Sequence, residues 1–137
     1  MEWARDFYGT TGEWWAAAEA RITERDDRRV ETIARFCRRP RARVLELGSG
    51  YGTTAVATAL AGYAVTAVEL TGRADRTSQV LADVGAPPDL LTLCRGDFYQ
   101  VDLPGRFDVV TYWNGFGIGD DTDQRRLLRR IRHDWLA

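Results

Sequence analysis

The nine residues Val44-Leu45-Glu46-Leu47-Gly48-Ser49-Gly50-Tyr51-Gly52 constrain this chain more than any others. An apolar run enters a loop with glycine at every second position, and the helix-forming stretch Thr53–Ala61 follows. Glycine lets a backbone turn tightly and lets a ligand approach the main chain without meeting a Cβ. A helix opening behind such a loop presents free N–H groups that favour negative charge. A strand, a glycine loop and a helix in this order belong to a βαβ unit.

The rest of the chain repeats the alternation. Arg43–Leu47, Ala64–Leu70, Leu90–Cys94 and Phe107–Trp113 read as strands, the second rich in β-branched residues. Thr53–Ala61, Arg73–Val84 and Thr122–Trp135 read as helices, the first two stopped by Gly62 and Gly85. Strands returned by helices give a parallel sheet, and right-handed crossovers make it doubly wound. Ligands of such sheets sit beyond the carboxyl ends of the strands, which is where the glycine loop lies. Ahead of the sheet, residues 1–12 read as a short helix and turn with a Gly/Thr break, and Glu13–Arg38 as helix in one or two pieces. Thr23 and Asp26 have the spacing of a capping box, with Asp in place of the usual Glu or Gln. Pro40 closes the helical part, so the chain divides at residues 1–39 and 40–137.

The spacing of the glycines separates two ligand classes. A dinucleotide loop has the form G-x-G-x-x-G, which would put its third glycine at Thr53. The spacing here is G-x-G-x-G, with an acid two residues before the first glycine. That run resembles the first motif of the class I S-adenosylmethionine-dependent methyltransferases of small-molecule type. The resemblance implies a Rossmann-like sheet of methyltransferase type, with about four of the family's seven strands present. It also implies S-adenosylmethionine as cofactor and S-adenosylhomocysteine as product. Glu46 would lie near the methionine end, and Gly48, Ser49, Gly50 and Gly52 would make room for methionine and ribose.

Further stations fit the same reading. Glu69 ends the second strand about 20 residues beyond the loop, where a carboxylate can accept from both ribose hydroxyls, with Leu70 beside it. NAD proteins also place an acid here. Arg95-Gly96-Asp97-Phe98 follows the third strand. By the resemblance, Asp97 accepts from the adenine amino group and Phe98 packs on the ring; the competing reading is an Asp that caps a turn. Tyr112-Trp113-Asn114-Gly115-Phe116 ends the fourth strand, and in the family this region faces the transferred methyl. Trp113 is a candidate cofactor wall, or simply core. Asn114 is a catalytic candidate. The prolines of the [DN]-P-P-[YF] motif are missing, which argues against nucleobase methylation.

The aromatics Trp3, Phe7, Tyr8, Trp14 and Trp15 resemble a lid helix over cofactor and substrate, with Tyr8 the second catalytic candidate. A lid excludes water and so strengthens electrostatics at the reacting centre. The plainer reading staples the helix to the core through these rings.

Several features carry less. All 19 basic residues are Arg, but they lie among acids and the net charge is −1, so neither nucleic acid nor a membrane surface is expected as partner. Cys37 and Cys94 form no CxxC pair, lie in apolar settings and read as buried free thiols. His133 reads as a surface side chain, Asp120, Asp121 and Asp123 as acids at a helix start rather than metal ligands, and Arg125, Arg126, Arg129 and Arg130 as a solvated face. No apolar run suggests a leader or a span, so the cytoplasm is the expected compartment.

Methyl transfer to the O, N or C nucleophile of a small molecule is the reading these residues favour. The alternative is a non-catalytic, truncated subunit that binds the cofactor and stabilises a partner chain. A nicotinamide oxidoreductase is a third reading, opposed by Thr53. A complementary chain, a swapped copy or a further C-terminal region is expected to complete the sheet, because an unpaired fourth strand leaves an exposed edge.

Overall fold

The computed structural model describes residues 1–113 and 118–137, with the side chains of Glu13, Ala16 and Ala17 left out. Its centre is a four-stranded parallel sheet in the order β3-β2-β1-β4. The strands are β1 (Arg43–Leu47), β2 (Ala64–Glu69), β3 (Leu91–Arg95) and β4 (Val109–Thr111). Strand order reverses between β2 and β4, on either side of β1, so the switch point of a doubly wound sheet lies at the end of β1. Beyond β4, Leu136 pairs in parallel with Phe107, whose N–H donates to the Trp135 carbonyl at 2.7 Å.

The pleat sorts the β1 side chains between two cores. Leu45 and Leu47 join Val68, Phe98, Phe107, Leu127 and Trp135 on the face covered by helix α5 (Asp121–Arg130). Val44 joins Ile33, Ala55, Ala59 and Ala67 on the opposite face. That second face is covered by α2 (Glu24–Phe36) and α3 (Thr53–Leu60), and α4 (Thr77–Val84) packs on α3 through Val80 and Val56. α3 is buried almost throughout, and its small Ala and Thr side chains let it lie close to the sheet.

The Thr23–Asp26 capping box forms, with the Thr23 N–H donating to Asp26 Oδ2 at 2.9 Å. Gly85 ends α4 in the left-handed conformation. Three expectations change. The Gly/Thr segment does not break the first helix: α1 runs from Glu2 to Glu19, and the chain turns only at residues 20–23. Isolated glycines weaken a helix by about 1 kcal/mol each, and here tertiary contacts outweigh that. The fourth strand is confined to Val109–Thr111, and α5 loosens into a wide turn at Ile131–Trp135.

The aromatics of α1 are the third change. Trp3, Phe7, Trp14 and Trp15 are 50–72% exposed, so they do not staple the helix to the core. Ala4, Thr11 and Gly12 face the body instead.

Candidate active site

The carboxyl ends of the strands open into a cavity of about 200 Å³ under α1. Among the residues expected at a site, Gly48, Gly50, Glu69 and Leu70 line it from the loops after β1 and β2. Asp97 and Phe98 line it from the loop after β3, Trp113 from the end of β4, and Tyr8 from α1. Glu46, Ser49 and Gly52 stand behind this lining, and Asn114 lies outside the described residues. Tyr112, from the fourth-strand segment, also lines the cavity, as do Thr71, Arg73 and Tyr99, which carried no motif of their own.

Gly48, Gly50 and Gly52 all have positive φ, at 66°, 58° and 76°, which L side chains rarely adopt. Their surroundings differ. A Cβ at Gly50 would meet nothing within 4 Å, whereas one at Gly52 would fall 2.5 Å from the Thr77 side chain. Gly52 therefore serves the packing of α3 on α4, and Gly50 leaves open ground at the cavity. A Cβ at Gly48 would sit 3.8 Å from the rings of Phe98 and Tyr112.

Glu69 knots the loops together. Its Oε2 accepts from the Gly50 N–H at 2.8 Å, and its Oε1 accepts from the Thr71 N–H at 2.8 Å and the Thr71 hydroxyl at 2.7 Å. A carboxylate offers about four acceptor positions, so three of Glu69's are engaged in holding the loop. Asp97 is similarly occupied: Oδ1 accepts from the Tyr99 N–H at 2.8 Å, and Oδ2 accepts from the Met1 ammonium at 3.3 Å. The turn-capping role is thus present. Phe98 is buried, edge-on to Tyr112 at 5.2 Å between ring centroids.

Behind the loop lies a buried polar cluster. Asp26 is fully buried and accepts from the hydroxyls of Thr53 at 3.0 Å and Thr54 at 2.7 Å, which open α3. Burial pushes its carboxyl up, but the hydrogen bonds from Thr54, Thr23 and Thr53 outweigh this and hold it below its ordinary value. Arg29 donates to Thr54 Oγ1 at 2.9 Å and stacks on the Trp113 ring at 5.2 Å. Burial depresses the Arg29 guanidinium, assisted by Arg25 and opposed by Glu46 and Asp26. Glu46 is 4% exposed, and burial pushes its carboxyl up to about 8; Arg29 opposes this, and Asp26 and Glu69 add to it. Burial likewise raises the Tyr112 phenol far above its ordinary value, with smaller contributions from Tyr99 and Tyr8.

Trp113 lines the cavity and also packs against the α2–α3 face of the sheet. Its Nε1 and the Ser49 hydroxyl are buried without a hydrogen-bond partner among the described residues. Buried polar groups are nearly always paired, so each such orphan asks for a reason.

The lesser candidates are mostly surface features. Asp120 caps α5, accepting from the N–H groups of Thr122 and Asp123 at 2.8 and 2.9 Å, and His133 is exposed. Of the arginine stripe, Arg125, Arg126 and Arg129 are exposed as expected, but Arg130 is not part of a solvated face: its guanidinium turns inward to the Phe98 and Val101 carbonyls and over the Trp135 ring. Cys37 and Cys94 are free but only half-buried, not buried as expected. Among the described residues there is no cluster of metal-binding side chains, and no helix is long and apolar enough to cross a membrane.

Solved structures share this fold. The chain is similar to the glycopeptide N-methyltransferase MtfA, with 27% identity and a TM-score of 0.68 over 80% of this chain and 49% of that one. It is similar to the CcbJ methyltransferase from Streptomyces caelestis at 25% identity and a TM-score of 0.68, over 85% of this chain and 46% of that one. Magnesium protoporphyrin IX methyltransferase (ChlM) from Synechocystis PCC 6803 shares the fold at 17% identity, with a TM-score of 0.76 over 93% of this chain and 64% of that one. The chain thus spans about half the length of MtfA and CcbJ. No curated protein matches it in sequence. The methyltransferase domain family matches residues 44–134, and the chain belongs to that family.

Proposed function

We propose that the cavity at the strand ends binds S-adenosylmethionine, and that the protein takes part in transferring its methyl to the O, N or C nucleophile of a small molecule. The observation that carries this reading is the glycine loop itself. Three positive-φ glycines stand at the switch point, the Gly50 surface is open, and Glu69 fixes the Gly50 amide. The MtfA structures with S-adenosylmethionine and with S-adenosylhomocysteine, each 26% identical to this chain, support the cofactor's identity.

The residues present fit such a cofactor. Ser49 Oγ and Trp113 Nε1 are polar groups awaiting a partner. Phe98, Tyr99 and Tyr112 give an aromatic wall for an adenine ring, and Asp97 an acceptor for its amino group once the Met1 ammonium moves aside. Glu69 has about one acceptor position left, so it would take one ribose hydroxyl, or two if Thr71 gave up its bond. Bound S-adenosylmethionine supplies an electrophilic sulfonium methyl. The chain's own part is to hold the acceptor in line, to cover the cavity with α1, and to exclude water. Asn114 and Tyr8 remain the proposed acceptor-side residues. Among the described residues the outer edge of β4 meets no strand, with only the Phe107–Leu136 bridge just ahead of it, and this edge is where a complementary chain or a second copy would add.

Isothermal titration calorimetry with S-adenosylhomocysteine and NAD tests the binding step. Micromolar S-adenosylhomocysteine binding with no NAD binding is expected, and the reverse order would overturn the reading. Binding without methyl transfer to any amine, hydroxyl or carbon acceptor would favour the non-catalytic subunit.

A further inference from the structure

Arg73 stands at the junction of α1 with the loop after β2, and the way α1 is attached makes that junction decisive. The helix turns Trp3, Phe7, Trp14 and Trp15 to solvent, and Ala4 is its one buried apolar side chain among those described. Apolar burial therefore does little to hold it. Polar contacts do more. Arg73 Nε donates to the Tyr8 carbonyl at 3.0 Å and Nη2 to Thr11 Oγ1 at 2.9 Å. Its guanidinium lies 5.4 Å from the Tyr8 ring centroid and 5.1 Å from that of Tyr51. The Tyr51 hydroxyl donates to the Gly12 carbonyl, adding a second tie from the glycine loop to the same turn of α1.

The space for this arrangement is made by Gly12. A Cβ there would fall 3.0 Å from both Cγ and Nε of Arg73. A residue that weakens a helix is thus placed where the guanidinium must pass. On the other side, the Arg73 N–H donates to Thr71 Oγ1 at 3.3 Å, and that hydroxyl donates to Glu69 Oε1 at 2.7 Å. A continuous run of hydrogen bonds leads from the loop-holding carboxylate through Thr71 and Arg73 to the α1 backbone.

We propose that Arg73 is a positioning residue that latches α1 over the cavity and ties closure of that helix to the Glu69 turn. The latch itself stands on this geometry, and only its effect on ligand release rests on the cavity being the cofactor site. With Arg73 in place, Tyr8 is held at the cavity and the mouth is covered. With the guanidinium withdrawn, α1 keeps, among the described residues, the Tyr51 tie, the buried Ala4 and its end contacts, and a bound ligand escapes sooner.

Hydrogen–deuterium exchange on the protein without ligand tests the latch directly. Arg73→Met keeps the side-chain stem and removes every donor and the charge; amides 4–12 are expected to exchange about tenfold faster, with β1 and β2 unchanged. Arg73→Lys keeps a cation over the two rings and one donor, and is expected to recover part of that protection. Gly12→Ala gives a second, independent variant. Alanine is the better helix former, so a merely structural role predicts slower exchange in α1, whereas displacement of Arg73 predicts faster exchange. Native exchange in Arg73→Met, or slower exchange in Gly12→Ala, would overturn the latch. Stopped-flow dissociation of S-adenosylhomocysteine then reads the consequence, with an expected rise of about tenfold in Arg73→Met. If the native protein does not bind S-adenosylhomocysteine, the cofactor reading fails while the exchange result stands. If it binds and the variant releases it at the native rate, the proposed link from latch to ligand fails.

Discussion

At the scale of single residues, the loop divides its work among positions that look alike in sequence. Gly50→Ala places a methyl in open space, and its left-handed backbone costs about 1 kcal/mol of stability. Its expected mark is on binding, with S-adenosylhomocysteine affinity reduced about tenfold or more in calorimetry. Gly52→Ala meets Thr77 as well as the strained φ, so a loss of about 2–4 kcal/mol in urea unfolding is expected. Equal stability of the two variants would contradict this division. Glu46 supplies a pH dependence. Unfolded, its carboxyl titrates near 4.5; folded, burial holds it at about 8. Between those values the folded chain holds the extra proton, so this residue's contribution falls as pH rises through that window and is flat above it. Glu46→Gln should remove that fall, gaining on the order of 3 kcal/mol over the native protein between about pH 5 and pH 8 in thermal melts. A parallel pH profile for variant and native protein would contradict it. The acids and glycines were legible because each lies in a short segment at the carboxyl end of a strand: Glu46 and the glycines at β1, Glu69 at β2 and Asp97 after β3. The environment of Glu46 was not, since Arg29 arrives from a helix no motif connects to the loop.

At the scale of elements, helix boundaries followed local chemistry where caps were present and departed from it where tertiary contacts intervened. The capping box at Thr23 and the glycine stop at Gly85 are local and form as expected. The Gly9–Gly12 segment suggests a break, yet α1 passes through it, because Gly12 is needed beside Arg73 and Thr11 donates back to the Phe7 carbonyl at 2.9 Å. α2 is locked to α3 by Asp26, whose carboxylate joins Thr23 to Thr53 and Thr54. Asp26→Ala strands the Thr53 and Thr54 hydroxyls and leaves Arg29 without a nearby acid of its own helix turn. A loss of about 3 kcal/mol in chemical unfolding is expected. Asp26→Asn, which keeps an acceptor, should lose less; equal losses would show that the hydroxyl bonds carry none of the effect.

At the scale of the whole molecule, the sheet order decides which loops meet. β1 and β2 bring the glycine loop and Glu69 together, and β3 brings Asp97 and Phe98 to the same end. α5 supports this end from the other face: Arg130 donates to the Phe98 carbonyl at 3.0 Å and to the Val101 carbonyl, and stacks on Trp135 at 4.6 Å. Arg130→Met should therefore loosen the Asp97–Val101 segment, lowering stability by about 1–3 kcal/mol and weakening S-adenosylhomocysteine without any contact to it. Unchanged affinity at reduced stability would confine Arg130 to the fold. The alternation of strands and helices, the switch-point loop and the acid and glycine stations can be read from the chain alone, because they depend on hydrophobic periodicity and on backbone freedom within short segments. That Gly52 serves packing, that Glu69 spends most of its acceptors on the loop, and that α1 meets the body through Arg73 while most of its aromatic rings face solvent emerges only in three dimensions. Those outcomes depend on which side chains from distant segments come within bonding distance, and no local pattern encodes that.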